Sequence, residues 1–154
     1  MDTVNESLHP WYVTGLMEGT GTFTFSRTDR NIVPYFVLKA GRDASGILEK
    51  VQAYFGGLGR VYPLQAHPAQ DAGGGATGRS HYFRVTRVDE LDRVIQHLDD
   101  HPLKGPKAGA YAVWRELVTL KRSAYRRPDR EQLQQLCLAL SATAPRRRES
   151  RLSE

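Results

Sequence analysis

Alternating polar and apolar residues predict four β-strands in the first half of the chain. Between Thr22 and Ser26, threonine or serine alternates with phenylalanine, as in a strand with one buried face. Pro34 has no N–H to donate, so it weakens the second strand or places it at a sheet edge. The predicted strands cover residues 20–27, 32–39, 60–64 and 82–87.

Apolar residues spaced three and four apart predict helices around these strands. The first helix begins at Ser7 or His9, just before Pro10, and runs to about Gly19. Four more are predicted: one capped by Asp43 or Ser45, and others starting at Asp89, near Ala108 and over 126–129. The order helix, two strands, helix, two strands, then helices predicts an α+β fold with a four-stranded antiparallel sheet and C-terminal helices.

The 154 residues fit one domain, which we place at residues 1–141. Residues 65–80 are rich in glycine and are typical of a mobile loop. The segment 142–154 contains Arg146-Arg147-Arg148 and is predicted to be a disordered basic tail.

Composition limits the function classes only moderately. The net charge of +5 permits a polyanionic partner without proving one. A single cysteine, Cys137, excludes an internal disulfide and a cysteine-built zinc site, and its apolar neighbours indicate a core position. No apolar run of about 18 residues predicts a membrane span, and the N-terminus does not look like a signal peptide. We therefore expect a cytoplasmic protein without a membrane partner.

The first predicted helix carries the spacing Gly15-x-x-x-Gly19, followed by Gly21. Glycine at every fourth position leaves a bare helix face that another backbone can approach closely. The segment from Trp11 to Phe23 resembles the signature of the LAGLIDADG homing endonucleases. Two further motifs strengthen the resemblance, which spans residues 10–114: the glycine turn at 55–61 and the Pro-Leu-x-x-x-Lys element at 101–107. The alternative is an unrelated α+β domain whose first helix happens to carry two glycines.

This resemblance implies the αββαββα fold, with a saddle-shaped sheet that lies in the major groove of double-stranded DNA. Family members with one signature act as homodimers through the signature helix. The interface residues implied here are Trp11, Gly15, Leu16 and Gly19.

The catalytic positions implied by the resemblance are mostly not retained. Thr20 stands where the family has a metal-binding carboxylate, and Ala40 stands where a polar residue orients water. A neutral hydroxyl adds no charge to hold a divalent cation, and a methyl group cannot orient water. Lys107 matches the basic position near the phosphate, with Lys104 as the competing choice. Glu18 lies about 200° around the helix from position 20, which favours ordinary polar contacts.

Strand alternation selects the side chains that would face DNA if Phe23 and Phe25 face the core. They are Thr22, Thr24, Ser26, Tyr35, Val37, Lys39, Arg60, Tyr62, Leu64, Tyr82, Arg84 and Thr86. This set has hydroxyls, aromatic rings and a few cations but few Asn, Gln or Arg, which predicts relaxed specificity or a partner other than DNA.

The sequence thus predicts a homodimeric DNA-binding protein derived from a LAGLIDADG homing endonuclease, deficient in cleavage and with a regulatory role as one option. No cofactor is expected. The first alternative is an active site-specific DNA endonuclease in which Glu18 or the Gly19 carbonyl holds Mg²⁺. The second is a maturase-like RNA-binding protein.

Overall fold

The computed structural model describes residues 7–28, 31–41, 44, 46–63, 80–123 and 129–143. The predicted α+β fold is confirmed, and these ranges contain nine elements in the expected order. The helices are α1 (Pro10–Thr20), α2 (Gly46–Tyr54), α3 (Val88–Asp100), α4 (Lys107–Ser123) and α5 (Arg130–Ala142). The strands are β1 (Gly21–Thr28), β2 (Asn31–Ala40), β3 (Arg60–Pro63) and β4 (His81–Val85).

The four strands form one antiparallel sheet in the order β1-β2-β4-β3. Pro34 is therefore in an interior strand, which contradicts the edge-strand option drawn from the sequence. The structure accommodates it because β4 pairs only with Phe36–Ala40, whereas Pro34 lies opposite Phe25 of β1. The missing N–H falls where β2 has a single neighbour among the described strands.

Several element ends differ from the sequence prediction. Strand β4 ends at Val85, so Thr86 follows the strand instead of belonging to it. Helix α3 starts one residue before Asp89, and Arg87 occupies its N-cap position. Leu64, the candidate caps Asp43 and Ser45, the glycine-rich loop at 65–79 and the tail from 144 onward lie outside the described residues.

One face of the sheet packs against the helices and forms the core. Phe23, Phe36 and Phe83 point to this side, and Trp114 of α4 is fully buried in the same core, with its ring centroid 5.2 Å from that of Phe23. The Trp114 Nε1–H donates to two backbone carbonyls, those of Thr24 at 3.1 Å and Tyr35 at 3.2 Å. Because Thr24 and Tyr35 are partners across β1 and β2, this shared hydrogen bond fastens α4 to the middle of that strand pair.

A buried polar network fixes α1 to α2 and α3. Thr14 and His97 are buried polar residues, and the Thr14 hydroxyl donates to the His101 carbonyl at 2.9 Å. That hydroxyl therefore accepts from His97 Nε2–H, also at 2.9 Å, which leaves His97 Nδ1 to accept from the Tyr54 hydroxyl. The donor and the acceptor of each hydrogen bond in this series are therefore fixed. Because His97 Nδ1 must accept, the network requires neutral His97.

The glycine turn between α2 and β3 sets the path of the chain into the sheet. Gly56, Gly57 and Gly59 all have positive φ values, a region that other residues rarely adopt. Gly59 is further constrained because a Cβ there would lie 2.7 Å from the Phe83 ring and 2.8 Å from the Arg84 carbonyl oxygen. Within the described part of the chain, no helix is both long and apolar enough to cross a bilayer.

Candidate nucleic-acid interface

The sheet face opposite the helices, here called the outer face, carries the predicted contact residues in rows across the strands. Cross-strand pairing places Thr24 beside Tyr35 in one row. A second row runs across all four strands, and a third crosses β2, β4 and β3. These rows are Thr22–Val37–Arg84–Arg60 and Lys39–Tyr82–Tyr62. Val33, opposite Ser26, also lies on this face, although the sequence analysis did not select it.

Two aromatic contacts organise the outer face. The Arg84 guanidinium lies over the Tyr35 ring, with its central carbon 4.1 Å from the ring centroid. The rings of Tyr62 and Tyr82 stack with their centroids 5.8 Å apart and an interplanar angle of 20°. Such contacts restrict side chains that would otherwise sample many rotamers. Polar and aromatic groups are therefore held in place on this surface.

The outer face is cationic. Every outward position on the described strands is neutral or positive, and the positive ones are Lys39, Arg60 and Arg84. Arg60 and Arg84 lie directly opposite each other, an arrangement that is destabilising for like charges. Neither one takes part in an ion pair among the described residues; the ion pairs found there are Arg87–Asp89, Arg115–Asp99 and Arg122–Asp92. This surface is suited to an anionic partner.

The junction of α1 and β1 contains the predicted catalytic positions Thr20 and Lys107. Thr20 is the last residue of α1, and its hydroxyl donates back to the Leu16 carbonyl at 3.1 Å. Lys107 Nζ donates to the Gly21 carbonyl at 2.6 Å, so the ammonium group lies next to position 20. Burial lowers the pKa of Lys107 and outweighs the opposing effect of Glu18. Lys104 is exposed, and its Nζ atom lies 5.8 Å from the centroid of the Trp11 ring.

Glu18 holds the start of α4. Its carboxylate accepts hydrogen bonds from the backbone N–H groups of Gly105 and Lys107, the latter at 3.3 Å. Lys107 is the first residue of α4 and Gly105 lies two residues before it, so the carboxylate sits at the N-terminus of the helix, where free N–H donors and the helix dipole favour a negative charge. The sequence favoured ordinary polar contacts for Glu18, but it gave no sign of this partner helix.

Residues at this junction do not fit a divalent cation. Thr20 offers a neutral oxygen that is already bonded to its own helix, Glu18 is committed to α4, and the Lys107 ammonium lies alongside. Ala40 ends β2 opposite His81, and its methyl side chain offers no oxygen ligand. Elsewhere in the described ranges, no group of three or more His, Cys, Asp or Glu side chains could hold a metal.

The predicted dimer helix presents an open face. Trp11 is 46% exposed and Tyr12 is 50% exposed. A Cβ added to Gly15 or Gly19 would meet no atom within 4 Å. Leu16, which was also predicted at the interface, is half-buried and packs partly against the core of its own chain.

Comparison with known proteins adds to these observations. Residues 13–118 match the family model described as LAGLIDADG endonuclease. A probable intron-encoded DNA endonuclease of Mycosarcoma maydis is 39% identical over 61 residues, which are 38% of this chain and 22% of that protein. A probable intron-encoded endonuclease of Neurospora crassa is 24% identical over 128 residues, 77% of this chain and 22% of that protein. The chain thus spans about a fifth of the length of these relatives.

Solved structures show the same fold. The homing endonuclease I-TnaI superposes with a TM-score of 0.71 at 19% identity, over 88% of both chains. The LAGLIDADG meganuclease I-CpaMI, bound to uncleaved DNA, gives a TM-score of 0.68 at 20% identity, over 84% of this chain and 42% of that chain. Together with a family match that covers more than half of the sequence, the architecture and the glycine-rich first helix show that this chain belongs to the LAGLIDADG endonuclease family.

Proposed function

We propose that this protein is a homodimeric binder of double-stranded DNA that has lost efficient cleavage. The observation that carries the proposal is the outer face, on which Lys39, Arg60 and Arg84 lack acidic partners among the described residues. Phosphate groups and the acceptor atoms of the base edges would supply the missing negative charge, and the hydroxyl and aromatic side chains between the cations would also face the bases. A regulatory role at the bound site is one option that this proposal includes.

The homodimer part of the proposal rests on the two helical glycines of α1. Glycine costs about 1 kcal/mol relative to alanine inside a helix, yet nothing in the monomer requires it at position 15 or 19. A second copy of α1 across a two-fold axis would use the space that side chains would otherwise fill. It would also cover Trp11 and Tyr12.

Loss of cleavage is inferred from the junction of α1 and β1. The metal-dependent cleavage that the family resemblance implies requires a carboxylate at position 20, and Thr20 supplies none. Glu18 could reach a cation only by leaving the N-terminus of α4, where it satisfies two backbone donors. Lys107 remains near the junction and could contact a phosphate without any chemistry.

A binding-site selection from random duplexes, followed by affinity measurements at several salt concentrations, tests the binding part. With two or three phosphate contacts from each protomer, the logarithm of the association constant should fall with the logarithm of the salt concentration at a slope of about −4 to −5. The selected duplex should then stay intact with Mg²⁺. No enriched duplex would refute DNA binding, whereas nicking that requires Mg²⁺ would establish the endonuclease alternative. Tighter binding to structured RNA in direct competition would establish the RNA-binding alternative.

Gly19→Leu tests the homodimer. The leucine has open space in the monomer, so the fold should be kept, while the close approach of two α1 helices is blocked. Light scattering should show a dimer for the parent and a monomer for the variant. Gly41→Leu, at another exposed glycine with open space around it, is the matched control and should stay dimeric. An unchanged dimer in Gly19→Leu would contradict the proposed interface.

A further inference from the structure

We propose that Arg84 reads a guanine in the bound duplex and that Tyr35 positions its guanidinium for this task. This inference rests on the proposed function, because it names the base that the outer face recognises. Three observations carry it: the place of Arg84 in the sheet, the contact with Tyr35, and the chemistry of the neighbouring outward residues.

Arg84 lies on an interior strand. The major groove admits a two-stranded β-ribbon, and strands in a sheet are about 4.8 Å apart, so a four-stranded sheet cannot insert all its strands equally deeply. In a sheet seated in the groove, the interior pair β2 and β4 would reach the base edges, and the edge strands β1 and β3 would lie nearer the phosphates. Arg84 is on β4, whereas its cross-strand neighbour Arg60 is on β3.

The contact with Tyr35 restricts the guanidinium. With its central carbon 4.1 Å from the ring centroid, the group is held over the sheet and cannot swing freely towards the sides of the groove. Its Nε is buried and so faces the protein, which leaves the two terminal nitrogens of the guanidinium to meet a base. The guanidinium has the forked donor geometry that matches O6 and N7 of guanine in a bidentate contact.

The outward residues of β2 and β4 near Arg84 lack its fixed fork of donors. Lys39 can also donate to guanine, but its ammonium group is a point charge on a flexible stem without a planar fork. Val37 offers only methyl groups, which suit a thymine methyl. Tyr35 and Tyr82 have one hydroxyl each. Among the described outward positions of the two interior strands, Arg84 alone combines a fork of donors with a fixed position.

The experiment is a binding-site selection from random duplexes with the full chain, carried out in parallel for the parent, Arg84→Ala, Arg84→Lys and Arg60→Ala. The parent should select guanine at one position in each half of its site. Arg84→Ala should lose that preference alone, with discrimination falling roughly 10- to 100-fold. Arg84→Lys keeps the charge but not the fork, so it should lose most of the discrimination while keeping most of the affinity.

Arg60→Ala is the matched control, because Arg60 has the same charge one strand away. It should weaken binding to all sequences about equally and make the salt slope of the dimer shallower by about 2, with the guanine preference unchanged. The role of Tyr35 is tested separately. Tyr35→Phe keeps the ring and should keep the preference, whereas Tyr35→Leu removes the ring and should reduce the preference. A thermal melt of each variant establishes that it is folded.

The outcomes separate the two proposals. Failure of the parent to enrich any duplex overturns the proposed function and this inference with it. Enrichment of a site in which Arg84→Ala changes affinity but no base preference leaves DNA binding in place and overturns the assignment of Arg84 as a base reader. A guanine preference lost in Arg84→Ala and kept in Arg60→Ala supports the inference.

Discussion

The buried network around His97 should make the protein lose stability in mild acid. His97 is 6% exposed, and burial, helped by the nearby His101, lowers its pKa from 6.5 to about 4; Asp100 opposes the shift. Between these two pH values the unfolded chain binds a proton at this residue and the folded chain does not. The contribution of neutral His97 to the free energy of unfolding is therefore fully present above pH 6.5 and is lost as the pH falls towards 4.

The expected loss follows from the two pKa values. At pH 5 the unfolded histidine is almost fully protonated and the folded one almost fully neutral, which corresponds to about 2 kcal/mol. Below pH 4 the loss reaches about 3 kcal/mol. Protonation would also place a hydrogen on Nδ1, which accepts from the Tyr54 hydroxyl, so that hydrogen bond would have to reverse or break.

Urea unfolding at pH 7.5 and pH 5 measures this effect. The control is His97→Gln, whose amide can donate and accept but does not titrate, and His9→Gln serves as the surface comparison. Between the two pH values, the free energy of unfolding of the parent and of His9→Gln should fall by about 2 kcal/mol more than that of His97→Gln. Equal losses in all three proteins, or a His97 pKa near 6.5 by NMR, would refute the reasoning.

Three further predictions concern the helices around the site. Thr14→Val leaves the His97 Nε2–H and the His101 carbonyl without this partner and should lower the free energy of unfolding by about 1–3 kcal/mol; a loss in urea melts below 0.5 kcal/mol would be too small. Glu18→Gln removes the charge at the N-terminus of α4 and should cost about 0.5–1 kcal/mol, reduced by high salt; a cost independent of salt would argue against the helix-dipole explanation. Thr20→Asp puts a carboxylate at the C-terminus of α1 and beside its mate in the proposed dimer, so it should lower the melting temperature in chelator and recover with Mg²⁺ or Ca²⁺. Thr28→Asp, at the other end of β1, should show no such recovery, and equal melting temperatures for Thr20→Asp with metal and with chelator would mean that position 20 is not the metal position.

Most of the fold could be predicted from the sequence because its signals are local. The alternation from Thr22 to Ser26 defines a half-buried strand, and the three positive-φ glycines from Gly56 to Gly59 mark a turn. The resemblance to the family also came from short segments, and both the family and the fold were confirmed. Strand ends were less certain, since β4 stops two residues before its predicted end.

The contacts that hold the candidate site together could not be predicted in the same way. Glu18 and Gly105 are 87 residues apart, so nothing near Glu18 in the sequence indicates that it caps α4. The Tyr35–Arg84 contact likewise depends on the pairing of two distant strands. A signal for the buried network did exist: His97 follows Val94 by three residues and precedes Leu98, so it lies within the apolar stripe of α3. A histidine in that position needs polar partners, which only the packing of α1 and α2 reveals.

The shared hydrogen bond from Trp114 gives the protein a built-in optical probe. The chain has two tryptophans, and they report on different events. Trp114 is fully buried behind the strand pair whose outward residues would meet the duplex, and its indole N–H is bonded to the backbone of that pair. Trp11 lies on the open face of α1. In Trp11→Phe, tryptophan fluorescence should therefore come from behind the β1–β2 pair alone. Any bending of β1 and β2 during DNA engagement should then change the emission, while subunit association leaves it unchanged.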